Sequence, residues 1–261
     1  MRKTNIRDYM DQIKEIIQGI TYLNISIEGL QIVHLRLGGG MYVDIQAKTY
    51  KNAIANELYI KLAASLHNRI TNDTMYLSRA QTAWSWFQGS DMINSDSLIN
   101  DGLASQKYGG GCSNNNLPIW TYNQGVVLGA LVELYRATSD SSYLTSARTI
   151  ADAVLSSSSP LTTAPDGILT ESSCTPDDAS GCNNDQQIFK GIFAYNLAEL
   201  DGAVPDGSRP YRAFLRQNAQ AAHDRARGGG TDLYDVSWTG PFRNSTIAKQ
   251  ASAVGLLVAI I

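Results

Sequence analysis

The residues best suited to chemistry in this chain sit where polar stretches run into apolar ones. The hexapeptide Trp120-Thr121-Tyr122-Asn123-Gln124-Gly125 is the densest such point. Its Trp and Tyr rings can stack on a ring-shaped ligand, and the amides of Asn123 and Gln124 can both donate to and accept from hydroxyls. A polyhydroxylated ligand suits that set; packing at a helix start is the other role open to the two rings. Asp101, within Ile99-Asn100-Asp101-Gly102, offers a loop carboxylate that either accepts from ligand hydroxyls or closes an Asx turn before the glycine. Asp185, Gln186, Gln187 and Lys190 repeat the pattern further along, with Asp185 equally able to cap the helix that follows. Glu171 ends a short strand-like run, 167–171, and Trp238 is either a stacking platform or a lid on the core. Asp177-Asp178 is the only Asp-Asp in the chain. It follows Pro176 in a small loop and reads as a solvated turn, so no nucleophile or acid is assigned.

Other chemistries are excluded by composition and spacing. The 261 residues carry a formal net charge of −3, with charged residues at 17%. There is no basic stripe for nucleic acid. The three histidines, His34, His67 and His223, and the three cysteines, Cys112, Cys174 and Cys182, form no metal-ligand pattern. Cys174 and Cys182 enclose a short loop that a disulfide would close in an oxidising compartment, which leaves Cys112 free or partnered elsewhere. Sequons occur at Asn24, Asn72 and Asn244. No apolar run reaches the roughly 20 residues of a membrane span, and the first residues, Met1-Arg2-Lys3 and a charged amphipathic stretch, lack the apolar core of a signal peptide.

The elements that must position the candidates are helices. Residues 1–37 suggest a short helix (Ile6, Tyr9, Met10, Ile13, Ile16, Ile17) and then irregular chain, ended by Gly38-Gly39-Gly40. From residue 51, Ile54, Leu58, Leu62, Leu66 and Ile70 recur every four residues, with Ala53, Ala55, Ala63 and Ala64 beside them, and predict an amphipathic helix over 51–71. Further helices are expected over 75–89, 122–138, 143–155, 185–200, 210–227 and from 247 to the end. Long polar loops fall at 90–119, 156–184 and 228–245. The apolar helices start near 52, 121, 185 and 247, which makes a repeat of long loop, apolar helix, short turn and second helix. Repeated helical hairpins cannot bury their faces alone and must stack. In a ring with the apolar helices inside, every long loop converges on one mouth.

The segments TYKNAIANELYIKLAASLHNR (49–69), MINSDSLINDGL (92–103), WTYNQGVVLGALVELYRAT (120–138), DGILTESSC (166–174) and DQQIFKGIF (185–193) resemble the fungal branch of glycoside hydrolase family 76, over about residues 38–261. The resemblance implies an all-α (α/α)6 barrel, an endo-α-1,6-mannosidase acting on α-mannan polysaccharide, a secreted or cell-surface location, and no cofactor. A non-catalytic glycan-binding remnant and a mannan or GPI-glycan transglycosidase are the alternatives. The substrate-binding candidates on this reading are Asp101, Trp120, Tyr122, Asn123, Gln124, Glu171, Asp185, Gln186 and Lys190. The family's chemistry rests on two adjacent Asp at the start of an inner helix, and residues 1–37 contain no such pair. Together with the hairpin count, this predicts an incomplete, N-terminally truncated barrel, with apolar faces of the 51–71 and 247–261 helices left uncovered. Each exposed Leu or Ile there forgoes roughly 1.5–3 kcal/mol.

Overall fold

The structure, a computed structural model, describes residues 39–43, 48–104, 113–174 and 181–261. The expectations for residues 1–37, Cys112 and Asp177-Asp178 lie outside them. Two compact units divide the chain, Met1–Gly39 and Gly40–Ile261, and the second is all-α. Its α-helices among the described residues are α1 (Ala53–Arg69), α2 (Tyr76–Gln88), α3 (Thr121–Thr138), α4 (Ser141–Leu155), α5 (Phe189–Ala203), α6 (Arg212–Arg225) and α7 (Ile247–Val258). A 3-10 turn, Gln186–Ile188, leads into α5.

Local chemistry sets the helix starts. The Asn52 side chain accepts from Ala55 N at 3.2 Å, Asp140 from Ser142 N at 2.9 Å and Thr246 from Lys249 N at 3.2 Å, each satisfying an amide that the helix itself leaves open. Asp73 does most, accepting from the backbone N–H groups of Met75, Tyr76 and Leu77 at the head of α2. Helix α3 ends on Ser139 in the left-handed region, φ 58°.

Helices α1, α3, α5 and α7 pack side by side, each on the next, while α2 lies on α1 and α4 on α3. Close approaches fix their direction. Gly129 lies against both Lys61 and Asn196, and Gly125 against Phe193; Asn68 donates to Glu133 O at 2.9 Å. Thr246 Oγ1 donates to Gln187 Oε1 at 2.6 Å, and Gly191 N donates to Ser252 Oγ at 3.1 Å. Along every neighbouring pair the residue numbers rise together, so these four inner helices are parallel. Their starts, and the long loops that feed them, lie at one end. The stacked helical hairpins expected from the repeat are the architecture of this unit, with inner and outer helices arranged as in part of the (α/α)6 barrel that the family resemblance implies.

The two faces of α1 differ, and one expectation needs correction. The buried face of α1 is Ala53, Asn56, Glu57, Ile60, Ala63 and Ala64, whereas Leu58 and Leu62 of the leucine stripe are 52% and 37% exposed. Small residues win the inward face because they let neighbouring helix backbones close up. The strand expected over 167–171 is reduced to one bridge, Thr162 with Leu169. Around it Thr163 N donates to Ile168 O and Thr170 N to Leu161 O, both at 2.8 Å, while Leu169 N donates to the Asn218 side chain of α6 at 2.8 Å.

Candidate functional site

The loop end of the inner helices carries the site. At the head of α3, Trp120 and Tyr122 meet Phe189, the first residue of α5. Tyr122 stacks on Phe189 with centroids 3.8 Å apart and planes at 13°, and Trp120 meets the same ring edge-on at 5.6 Å. Gly125, one turn further down α3, makes this possible. A Cβ there would lie 2.5 Å from Phe193 Cα, so only glycine lets the two helices approach closely enough for the rings to stack. Trp120 and Tyr122 stay half-buried, which leaves an aromatic rim across two helix starts.

Carboxylates surround that rim. Burial raises the Tyr122 phenol above its ordinary value first, and then Asp101, Glu57, Glu171 and Asp185 raise it further by charge repulsion. One ring therefore lies within electrostatic reach of four acids drawn from α1 and three loop segments. Asp185 is exposed, makes no side-chain cap bond and lies within electrostatic reach of Tyr122. Asp101 is half-buried and accepts from Tyr50 Oη, in place of the local Asx turn. Gln186 exchanges hydrogen bonds with Asn183, each side-chain oxygen accepting from the other's backbone N–H at 2.9 Å, which shapes the approach to α5.

Other candidates are turned inward and hold the rim in place. Gln124 is fully buried. Its amide accepts from Ile99 N and donates to Ile99 O, both at 2.8 Å, and donates to Trp120 O at 3.0 Å. It thus stitches the 89–120 loop to α3. Glu171 is 2% exposed and spends both oxygens on Thr121, accepting from N at 2.9 Å and from Oγ1 at 2.6 Å. Helix α3 has no local side-chain cap; Glu171 supplies one from fifty residues away. Burial pushes this carboxyl up to about 7, against the pull of Thr121's donors and of Lys190. Burial likewise lowers the Lys190 ammonium to about 7, offset in part by Glu171 and Asp235. Lys190 Nζ donates to Val236 O at 2.6 Å and lies 4.4 Å over the Trp238 ring. Trp238 is 1% exposed and is therefore a lid on the core, not a platform. Asn123 is fully buried and neither amide atom has a hydrogen-bond partner among the described residues.

Three further contacts lock the loops together. Cys174 and Cys182 are joined, S–S 1.93 Å, just after Glu171. Cys182 O accepts from Gln187 Nε2 at 3.0 Å, and Gln187 in turn holds the Thr246 cap of α7. Asp235 and Lys249 form a buried ion pair at 2.7 Å, and Asp235 also accepts from Arg243 N and Asn244 N. Alternating buried charges, Glu171, Lys190, Asp235 and Lys249, thus run through the loop end. The Asp235–Lys249 pair, Tyr50 and Glu57 went unread in the sequence: Glu57 lies in a stretch whose apolar spacing dominates, and Asp235 and Tyr50 take partners that are distant in the chain. Glu57 is fully buried, and neither oxygen has a hydrogen-bond partner among the described residues. Burial and then Asp101 raise its pKa well above the carboxylate range, which holds it as the neutral acid. Among the described residues no group of three or more His, Cys, Asp or Glu could hold a metal ion, and no helix is long and apolar enough to cross a membrane.

The described loop end therefore gathers two half-buried aromatic rings and nearby carboxyl groups over buried hydrogen-bonded support. Comparison with known proteins is in keeping with that. The model of glycosyl hydrolase family 76 matches residues 31–260. The chain is 28% identical over 238 residues to the mannan endo-1,6-alpha-mannosidase DFG5 of Candida albicans, covering 86% of this chain and 50% of that one. It is 31% identical over 202 residues to the Saccharomyces cerevisiae protein of the same name, covering 75% and 42%. The chain thus spans about half the length of the curated relatives it matches. Among solved structures, an α-1,6-mannanase of Salegentibacter superposes with a TM-score of 0.73 at 26% identity, over 86% of this chain and 62% of that one. That structure is an inactive variant with two consecutive aspartates replaced, in complex with α-1,6-mannotetraose.

Proposed function

Because the chain belongs to glycosyl hydrolase family 76, we propose that it is a glycoside hydrolase of the endo-α-1,6-mannosidase type whose loop end grips α-1,6-linked mannan. One observation supports this reading: the parallel inner helices bring the half-buried rings of Trp120 and Tyr122 together over the buried Phe189 ring, with Asp101 and Asp185 within electrostatic reach of Tyr122. Stacked rings ringed by acceptors suit a pyranose chain. The disulfide supports a secreted or cell-surface setting, where such bonds persist.

Hydrolysis of a glycosidic bond needs a pair of carboxyl groups, one to protonate the leaving oxygen and one to act as nucleophile or base. Two consecutive aspartates are replaced in the inactive relative; the one Asp-Asp of this sequence, Asp177-Asp178, falls between Cys174 and Cys182 after Pro176 and reads as a solvated turn. That favours a second reading in which the chain binds mannan without cleaving it. Incubation with unbranched α-1,6-mannan, read by reducing-end release, separates the two. Calorimetric binding of α-1,6-mannotetraose to the same preparation tests what they share. Trp120→Ala is expected to weaken that binding about 10-fold or more, since stacked aromatic anchors dominate such sites. Absence of binding by the unaltered chain overturns both readings.

A further inference from the structure

The Asp101 carboxylate is held by a hydrogen-bond chain whose direction can be read from its ends. Asn115 Oδ1 accepts from Leu117 N at 3.0 Å. A backbone N–H can only donate, so this contact fixes which end of the Asn115 amide is oxygen. The Nδ2 end then donates to Tyr50 Oη at 2.9 Å. With its oxygen already accepting, the Tyr50 hydroxyl directs its own proton to Asp101 Oδ2. Asp101 Oδ1 has no hydrogen-bond partner among the described residues, and the residue is half-buried at the rim.

The backbone around this chain is built to hold it. Asn52 bridges Gly102 and Leu103 bridges Asn114. Ala53 N donates to Asp101 O at 2.8 Å, Leu103 N to Lys51 O at 3.0 Å and Asn115 N to Gly102 O at 3.0 Å. Three short segments, 50–53, 101–104 and 113–115, are thus laced edge to edge at the head of α1. Gly102 is required there, because a Cβ would lie 2.5 Å from Lys51 O and 2.8 Å from Tyr50 Oη. Any other residue would push Tyr50 off the carboxylate.

We propose that Tyr50, oriented by Asn115, is a positioning residue that fixes Asp101 as a pure acceptor and turns its free oxygen to a ligand hydroxyl. Tyr50 acts through Asp101 and does not itself touch the sugar. The consequence is selective. Asp101 takes a donor, a sugar hydroxyl, and rejects a ligand group that can only accept. This rests on the carbohydrate reading above and adds to it the residue that sets the polarity of one contact.

The test is a double-mutant cycle on α-1,6-mannotetraose affinity by calorimetry, with the chain, Tyr50→Phe, Asp101→Ala and the double variant. Tyr50→Phe removes one oxygen and keeps the ring. A charge-assisted bond of this kind is expected to matter by about 10-fold in affinity. Asp101→Ala is expected to weaken binding at least as much, and the double variant no more than Asp101→Ala alone, since Tyr50 then has nothing to orient. If Tyr50→Phe fails to fold, Asn115→Ala takes its place in the cycle, because it removes the donor that directs the Tyr50 proton. Unchanged affinity in the Tyr50 or Asn115 variant, or losses that multiply in the double variant, overturn the proposal while leaving the carbohydrate reading intact. Failure of the unaltered chain to bind overturns both.

Discussion

Replacing Gly125 with alanine puts two effects of opposite sign in competition. Gly125 lies inside α3, where alanine is preferred over glycine by about 1 kcal/mol on helix propensity alone. Against this, the new Cβ would sit 2.5 Å from Phe193 Cα, 3.0 Å from Phe193 N and 3.2 Å from Ile192 O. All three are backbone atoms, so no rotamer change can relieve them, and α3 must move off α5 by about 1 Å to restore ordinary contact. Overpacking of this kind costs about 1–3 kcal/mol, and the backbone origin of the clash places it at the upper end. The net is a loss of about 2 kcal/mol, or a fall in Tm of about 4–8 °C for a domain of this size. The same displacement opens the 3.8 Å stack of Tyr122 on Phe189 one turn away. Thermal unfolding followed by near-UV circular dichroism reads both effects. Gly229→Ala, where nothing lies within 4 Å of the added atom, is the control and should leave Tm unchanged. A Gly125→Ala chain that melts higher than the parent would mean that propensity prevails and that the helices are not in the contact described.

The remaining predictions concern the carboxylates. Burial raises Asp73, but the N–H groups of Tyr76 and Met75 together with His67 outweigh it and hold the carboxyl at about 2, from 3.8. A depressed folded-state pKa means stability that is present above about 3.8 and is lost as pH falls toward 2. Asp73→Ala should therefore cost about 2 kcal/mol at pH 6, and the difference from the parent in urea unfolding should shrink toward pH 2. Glu57 has the opposite sign. Its folded-state pKa is raised, so its contribution is intact below the ordinary carboxylate range and is lost as pH rises. Glu57→Gln should match the parent in Tm near pH 4 and exceed it at pH 8; a constant offset at both values would refute the buried neutral acid.

Much of this was legible in the sequence where local periodicity and local chemistry agree. The helix over Thr121–Thr138 and the one over Ser141–Leu155 follow directly from apolar spacing and from turn residues such as Asp140. The convergence of the loops follows from the repeat, because equal spacing of apolar helices leaves the long segments at one end once the helices are parallel. What escaped was set by tertiary packing. The leucine stripe of α1 outweighs Ala53, Ala63 and Ala64 on any hydropathy count, yet the small residues take the inward face because helix backbones can approach there. Glu171 looked like a ligand contact on its residue type; its partner Thr121 lies fifty residues away, and no local signal marks it as the cap of α3. Tyr50 stood unremarked for the same reason, since its role depends on Asn115 and Asp101 arriving from another loop.

The central claim is that parallel inner helices bring a ring platform and its acceptors to one end, and that α-mannan binds there. The most direct measurement is a crystal structure of this chain soaked with α-1,6-mannotetraose. The account predicts sugar density against Trp120 and Tyr122, with a hydroxyl within hydrogen-bond distance of Asp101 Oδ1. Sugar bound at the opposite end of the helices, near Glu133 and Arg69, would contradict it.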